Sequence, residues 1–303
     1  MQQPSYLKQG SVIGITCPSG YLRADRIDHA VTTLAQWGFN VKIGSTIGPD
    51  MGIYFSDSDE ARRQDLQNML DDPQLDAILM GRGGYGLSRI IDALDFSTFL
   101  KKPKWICGFS DVTVLHSHIQ SRYGIATLHS PMCVGFKPGN EESSHIINFR
   151  DALTGAQLSY TTLPYQHNRT GSAEGIITGG NLSLLAHLTG SVSEADTEGK
   201  ILFIEDTGEQ RYNVDRLLLN LKRAGKLDKI AALLVGDFDN IKDIDRPFGQ
   251  SVEEIIFDKV KEYNYPVCFN FPAGHEDINY TLSFGMRHKL EVNDAGSKLE
   301  LLH

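Results

Sequence analysis

The feature that most limits the fold is an alternation running through the first half of the chain. Continuous apolar runs are each followed, at short intervals, by a segment with helical spacing. Residues 11–17 (SVIGITC) end in the turn PSG, and residues 26–37 are amphipathic with a helical period. FNVKIG (39–44) is again strand-like, and residues 60–70 read as a charged helix. LDAILMGRGGYG (75–86) runs from a strand into a glycine-rich turn, and residues 87–94 form a short helix. PKWICGFSD then leads into a helix marked by Val112, Leu115 and Ile119, and YGIATLHSP (123–131) closes the series. Strands apolar on both faces, alternating with helices, predict a parallel sheet covered on both sides. Open α/β sheets bind ligands beyond the carboxyl ends of their strands. GRGGYG and GFSD both fall at such ends.

The stretch LSYTTLPYQHNRTG (158–171) loses hydrophobic periodicity and collects Pro, Asn, Arg and Gly, so it reads as a linker. This divides the chain into an N-terminal domain, 1–157, and a smaller C-terminal domain, 172–303. In the second part, KILFIEDTGEQ (200–210), IAALLVGDF (230–238) and PVCFNFPAGHED (266–277) are strands running into polar loops. Helical segments at 214–224 and 253–263 separate them. YTLSFGMRHKLEV and SKLELL read as antiparallel strands joined by the turn NDAGS. The C-terminal domain is therefore mixed α/β. With 303 residues, 41% of them hydrophobic, the chain is long enough to bury a large core in two such units.

Charge narrows the class of partner. A net charge of −9 argues against a nucleic-acid or anionic-membrane surface, which needs clustered Lys and Arg, and favours a small molecule or peptide. No basic segment followed by a long apolar stretch opens the sequence, and no run of about 18 apolar residues occurs, so the expected location is the cytoplasm. Cys17, Cys107, Cys133 and Cys268 lack CxxC spacing and read as reduced, mostly buried thiols. No HExxH occurs, and His116 and His118 stand two apart on a helix and so face different ways. The expectation is chemistry with neither metal nor cofactor.

Three polar residues follow apolar runs: Ser110 in IC-GFS, Glu205 in LFI-E and His275 in FPA-GH. That is where a hydroxyl nucleophile, its base and an orienting carboxylate would have to stand. A serine on the turn into a helix gains from the unpaired N–H groups and positive dipole there, yet it is also a good helix cap. Asp206 and Glu209 compete with Glu205 for the role of acid. GRGGYG lacks the Lys-Ser/Thr of a P-loop and the spacing of a dinucleotide fingerprint. Its glycines serve either a tight turn or the approach of backbone N–H groups to a reacting carbonyl.

Taken in order, GRGGYG, GFSD, GGNLSLL (179–185), ILFIEDTGE (201–209), FPAGH (271–275) and SFGM (283–286) strongly resemble the LD-carboxypeptidases of serine peptidase family S66. The resemblance implies a flavodoxin-like N-terminal domain with the nucleophile, a C-terminal domain with acid and base, and an active site in the cleft between them. It implies the triad Ser110, Glu205 and His275. It also implies a murein tetrapeptide as substrate, cleaved before its terminal D-alanine during cytoplasmic wall recycling, and a homodimeric enzyme. The oxyanion would be held by backbone N–H groups at Gly84 and Asp111. Arg82 and Arg287 are the candidates for the substrate's terminal carboxylate.

Several alternatives are weighed against this. GFSDV lacks the second glycine of the G-x-S-x-G elbow of α/β-hydrolases. A class I glutamine amidotransferase needs cysteine at position 110, and Cys107 comes three residues too early. LHSPM carries Ser130 where the resembling family commonly has glycine. Hydrolases resembling the microcin C immunity proteins cut an amide or acyl-sulfamate joined to a nucleotide, and such an enzyme needs an aromatic platform. Trp37 and Trp105 both sit in apolar contexts, so no platform is expected. A non-catalytic ligand-binding protein has no need of the triad.

Overall fold

The computed structural model describes residues 1–302 and contains two sheets. The first half supplies β1 (Val12–Thr16), α1 (Asp28–Gln36), β2 (Asn40–Ile43), α2 (Asp59–Asp71), β3 (Ala77–Met80), α3 (Leu87–Ile90), β4 (Trp105–Gly108), α4 (Thr113–Tyr123), β5 (Thr127–His129) and α5 (Ser144–Thr154). There follow β6 (Ser159–Thr162), β7 (Gly171–Asn181), α6 (Leu182–Leu188), β8 (Ile201–Thr207), α7 (Arg211–Arg223), β9 (Ala232–Asp239), α8 (Val252–Val260), β10 (Val267–Cys268), β11 (Leu282–Phe284), β12 (Arg287–Asn293) and β13 (Gly296–Leu301).

The first sheet has the order β11-β5-β4-β3-β1-β2, parallel except for β11. Its central strands β3 (AILM) and β4 (WICG) are buried throughout, as a strand covered by helices on both faces must be. β2 has one neighbour and is mostly exposed. Helix starts follow local chemistry: the Ser58 hydroxyl accepts from Ala61 N–H at 3.2 Å, ahead of Asp59 and Glu60 in the first turn of α2.

The second sheet has the order β10-β9-β8-β7-β12-β13-β6, with β7 to β10 parallel and β12, β13 and β6 antiparallel. Two expectations change here. The 158–171 stretch is no free linker, because Ser159–Thr162 pairs with β13 as an edge strand and Arg169 exchanges backbone bonds with Val267. An edge strand needs only one paired side, so its sequence stays polar and irregular like a linker's. YTLSFGMRHKLEV is likewise not one strand. It breaks at Gly285 and Met286, leaving β11 in the first sheet and β12 in the second.

That crossing ties the halves together. A single apolar cluster contains Leu128 and Phe284 of the first sheet and Phe203 and Leu234 of the second. Helix α4 adds polar links: Thr113 Oγ1 accepts from Asn181 N–H at 3.0 Å, and Ser117 Oγ donates to the Ser193 carbonyl at 2.5 Å. The strand ends carrying GFSD, FIED and FPAGH thus open onto one cleft.

Candidate active site

The turn that carries Ser110 begins where β4 ends. Ser110 has φ +62°, the left-handed region that costs a residue with a Cβ about 1–2 kcal/mol. Such strain persists where surrounding structure imposes it, and it clusters at functional sites. The turn has no side-chain cap, so the capping explanation for this serine does not hold. Its backbone carbonyls are anchored from below: the buried His116 ring meets Gly108 O at 2.8 Å through Nε2, and burial pushes this imidazole down to about 4. His116 is therefore a neutral structural residue. Gly83 lies against the serine so closely that a Cβ there would stand 2.9 Å from Ser110 Cβ. No other residue type fits without movement of one turn or the other.

Glu205 sits near the end of β8, in regular register with Asn181 of β7 on one side. On the other side β9 carries one extra residue, since Ile204 pairs with Val235 but Asp206 with Phe238, a bulge of the kind found beside active sites. Glu205 and Asp206 are both buried although they are neighbours on one strand, because β8 is a central strand buried from Ile201 to Asp206. Glu205 Oε2 lies 2.6 Å from His275 Nδ1. The loop that carries His275 is strapped to β9, since Phe271 N–H donates to Val235 O and Asp237 N–H to Ala273 O, both at 3.0 Å. Glycine at 236 permits this, because a Cβ there would collide with the Ala273 carbonyl.

The rival acids have other work. Asp206 accepts from Asn181 Nδ2 at 2.8 Å and from Ser183 N–H and Oγ at 2.9 and 2.7 Å, which pins the start of α6 to β8. Burial pushes its carboxyl up to about 6, against the bonds from Ser183 and Asn181. Glu209 accepts from Ser183 Oγ at 3.0 Å and from Asn213. Only Glu205 reaches the histidine.

For His275 itself, burial opposes a charge on the ring. The hydrogen bond and negative charge of Glu205 outweigh that, so its pKa is raised above the ordinary histidine value. The ring packs edge-on against Phe109, with centroids 4.8 Å apart. Ser110 and His275 line the same cleft, of about 680 Å³, together with Gly84, Asp111 and Arg82.

The N-terminal and C-terminal domain descriptions of the LD-carboxypeptidases match residues 13–130 and 174–290 of this chain. A probable murein peptide carboxypeptidase of Bacillus subtilis is 32% identical over 302 residues, spanning 98% of this chain and 94% of its own. The chain belongs to the LD-carboxypeptidase family. A crystal structure of a muramoyltetrapeptide carboxypeptidase from Oxalobacter formigenes superimposes with a TM-score of 0.87 at 28% identity, covering 97% of this chain and 99% of that one. The microcin C7 self-immunity protein of Escherichia coli is 26% identical over 327 residues, covering 95% of this chain and 92% of its own.

Within this LD-carboxypeptidase family member, the two candidate arginines part company. Arg82 lines the cleft, held by bonds to the carbonyls of Tyr21 at 3.1 Å and Gly83 at 3.3 Å, and no carboxylate pairs with it among the described residues. Arg287 does not reach the cleft. It begins β12 on the solvent face, 62% exposed, paired with Glu174 at 3.1 Å. Alternation along RHKLEV, with His288, Leu290 and Val292 buried, is the sequence signal that places Arg287 outside.

Other cleft residues escaped the sequence reading. Asn181 and Ser183 come from GGNLSLL and line the same cleft as Arg82. Tyr54 and Tyr85 also line the cleft and are 58% and 46% exposed, so aromatic rings are available although neither tryptophan is. Ser130 is fully buried, donates its hydroxyl to the Pro131 carbonyl at 3.2 Å and is not among the residues lining the cleft.

Proposed function

We propose that this chain is a serine carboxypeptidase that releases the terminal D-alanine of a murein tetrapeptide. The observation carrying the proposal is the fully buried Glu205 bonded to His275 Nδ1 in the cleft that also holds the strained Ser110. The names of the Bacillus subtilis and Oxalobacter formigenes relatives support the substrate class. Nucleophile and acid–base pair come from the 1–157 and 172–303 parts, so the two halves act as lobes around the bond to be cut.

In this mechanism His275 Nε2 removes the Ser110 proton as Oγ attacks the carbonyl carbon of the scissile bond. Glu205 stays ionised and fixes the ring with its proton on Nδ1. The tetrahedral oxyanion is stabilised by the N–H groups of Gly84 and Asp111; Asp111 lies in the first turn of a helix, where N–H groups lack partners within the helix. His275 then protonates the departing nitrogen of D-alanine. Water, deprotonated in turn by His275, hydrolyses the acyl-serine. Arg82 receives the terminal carboxylate, since a desolvated carboxylate left unpaired costs several kcal/mol.

The enzyme acts as a homodimer in the cytoplasm on peptides returned from the wall; no described helix is long and apolar enough to cross a membrane. A second reading has one observation in its favour. Exposed Tyr54 and Tyr85 at the cleft provide ring faces for a nucleobase, as a hydrolase of nucleotide conjugates requires. Incubating the protein separately with free tetrapeptide and with an aminoacyl-sulfamoyl nucleoside, read by mass, decides between them. The proposal expects D-alanine release from the first and no cleavage of the second; the reverse replaces it.

A further inference from the structure

Three turns meet beside Ser110, and one oxygen joins them. Asp111 follows the nucleophile and is 1% exposed. Its Oδ2 accepts from Ser19 Oγ at 2.5 Å and from Leu87 N–H at 2.9 Å. Ser19 belongs to the turn after β1, and Leu87 opens α3 directly behind GRGGYG. The ends of β1 and β3 are thereby fastened to the end of β4. Further bonds tighten the same knot: Gly20 N–H donates to Gly83 O at 3.3 Å, and the fully buried Arg62 donates to Pro18 O.

We propose that the Asp111 carboxylate is a positioning residue for the reaction, holding the glycine-rich turn at the distance from Ser110 at which its N–H groups meet the oxyanion. This rests on Ser110 being the nucleophile.

The chemistry of the group supports it. Asp111 Oδ1 is buried with no hydrogen-bond partner, and burial raises the pKa of this carboxyl against the Ser19 and Leu87 bonds and the charge of Arg62, so the chain keeps a half-satisfied acidic group in its interior. For stability alone this is a poor choice, because an apolar or neutral side chain of similar size avoids the desolvation. A local rule broken without a stability gain points to function. What the carboxylate supplies is an acceptor with no donor of its own, on which a hydroxyl and an N–H converge through charge-assisted bonds. Positional tolerance is small here. A Cβ added at Gly83 would be 3.0 Å from Ser110 Oγ, and one at Gly86 would be 2.6 Å from Arg62 Nη1. A shift of the glycine-rich turn therefore changes the oxyanion geometry directly.

The test is Asp111→Asn, with Ser19→Ala as a milder second variant. The amide keeps the shape, weakens both bonds and removes the charge. The expected result is kcat lowered about a hundredfold in Asp111→Asn, as for loss of one oxyanion donor, with KM little changed and thermal stability not reduced. Ser19→Ala is expected to lose less. Affinity for a peptide boronic acid, whose tetrahedral serine adduct uses the same N–H groups, is expected to fall by the same factor as kcat. Asp111→Asn with wild-type kcat, or with reduced kcat but unchanged boronate affinity, overturns the proposal. So does a variant that loses stability and keeps kcat. Ser110→Ala measured alongside keeps the two claims apart: activity surviving there removes the nucleophile assignment, whereas activity lost there and kept in Asp111→Asn removes only the positioning role.

Discussion

Glu205 is fully buried and uses one oxygen, Oε2, on His275 Nδ1 at 2.6 Å, while Oε1 has no partner. The second oxygen is a standing cost to the fold, so the first is there for the imidazole. Glu205→Gln is expected to fold with unchanged or higher thermal stability and to lose turnover by roughly 10³–10⁴, because the amide presents a donor to Nδ1 and selects the wrong tautomer. Asp206→Asn and Glu209→Gln, whose carboxylates hold Ser183 and its neighbours, are expected to lose less. Steady-state rates of the three variants check this. A larger loss in Glu209→Gln transfers the acid role four residues along the chain.

Acid pH acts through the same pair. In the proposed mechanism His275 accepts the Ser110 proton only when neutral, and burial, which opposes its charge, is outweighed by the Glu205 bond and charge, so its pKa is raised. Activity is therefore present above that raised pKa and lost as pH falls through it. The acid limb of kcat/KM is expected above the ordinary histidine value of about 6.5, falling about tenfold per pH unit below it. In Glu205→Gln the residual activity is expected to show this limb at lower pH, since burial is then opposed only by the charges of Asp206 and Asp239. A wild-type limb at or below about 6.5 contradicts the coupling.

Arg82 is expected to set the demand for a free carboxylate. Arg82→Gln should lower kcat/KM on the tetrapeptide roughly ten- to a hundredfold, the worth of a hydrogen bond to a charged group. Its activity on the C-terminal amide should barely change. The ratio of the two substrates, compared between wild type and variant, is the readout, and an equal loss on both removes Arg82 from the carboxylate.

Much of this candidate site is legible in the sequence because a parallel strand is apolar along its whole length and then must end at the functional edge. That pattern marks Ser110, Glu205 and His275 as candidates, with Asp206 and Glu209 as rivals for the acid, and the resemblance to the LD-carboxypeptidases is what implies the triad. Three things were hidden. The extra residue of β9 opposite Glu205 depends on how β8 and β9 pair, which no local pattern records. The division of labour among Glu205, Asp206 and Glu209 depends on where the start of α6 lies, with Ser183 standing 23 residues before Asp206 and 26 before Glu209. The positive φ of Ser110 is imposed by tertiary packing on a residue type that does not favour it.

Other misses had a signal that went unread. The alternation of RHKLEV marks Arg287 as outward-facing. Neither tryptophan offers an aromatic platform, but Tyr54 and Tyr85 stand in polar, glycine-containing segments where exposure is to be expected. The edge strand β6 looked like a linker because it is paired on one side only.

The most direct measurement compares folded wild-type protein and Ser110→Ala on one free murein tetrapeptide, following D-alanine and tripeptide by mass spectrometry. Wild type is expected to release one D-alanine per peptide, and Ser110→Ala to be slower by several decades with its fold intact. A folded Ser110→Ala protein that releases D-alanine at the wild-type rate, or a wild type that leaves the tetrapeptide whole, would contradict the assignment.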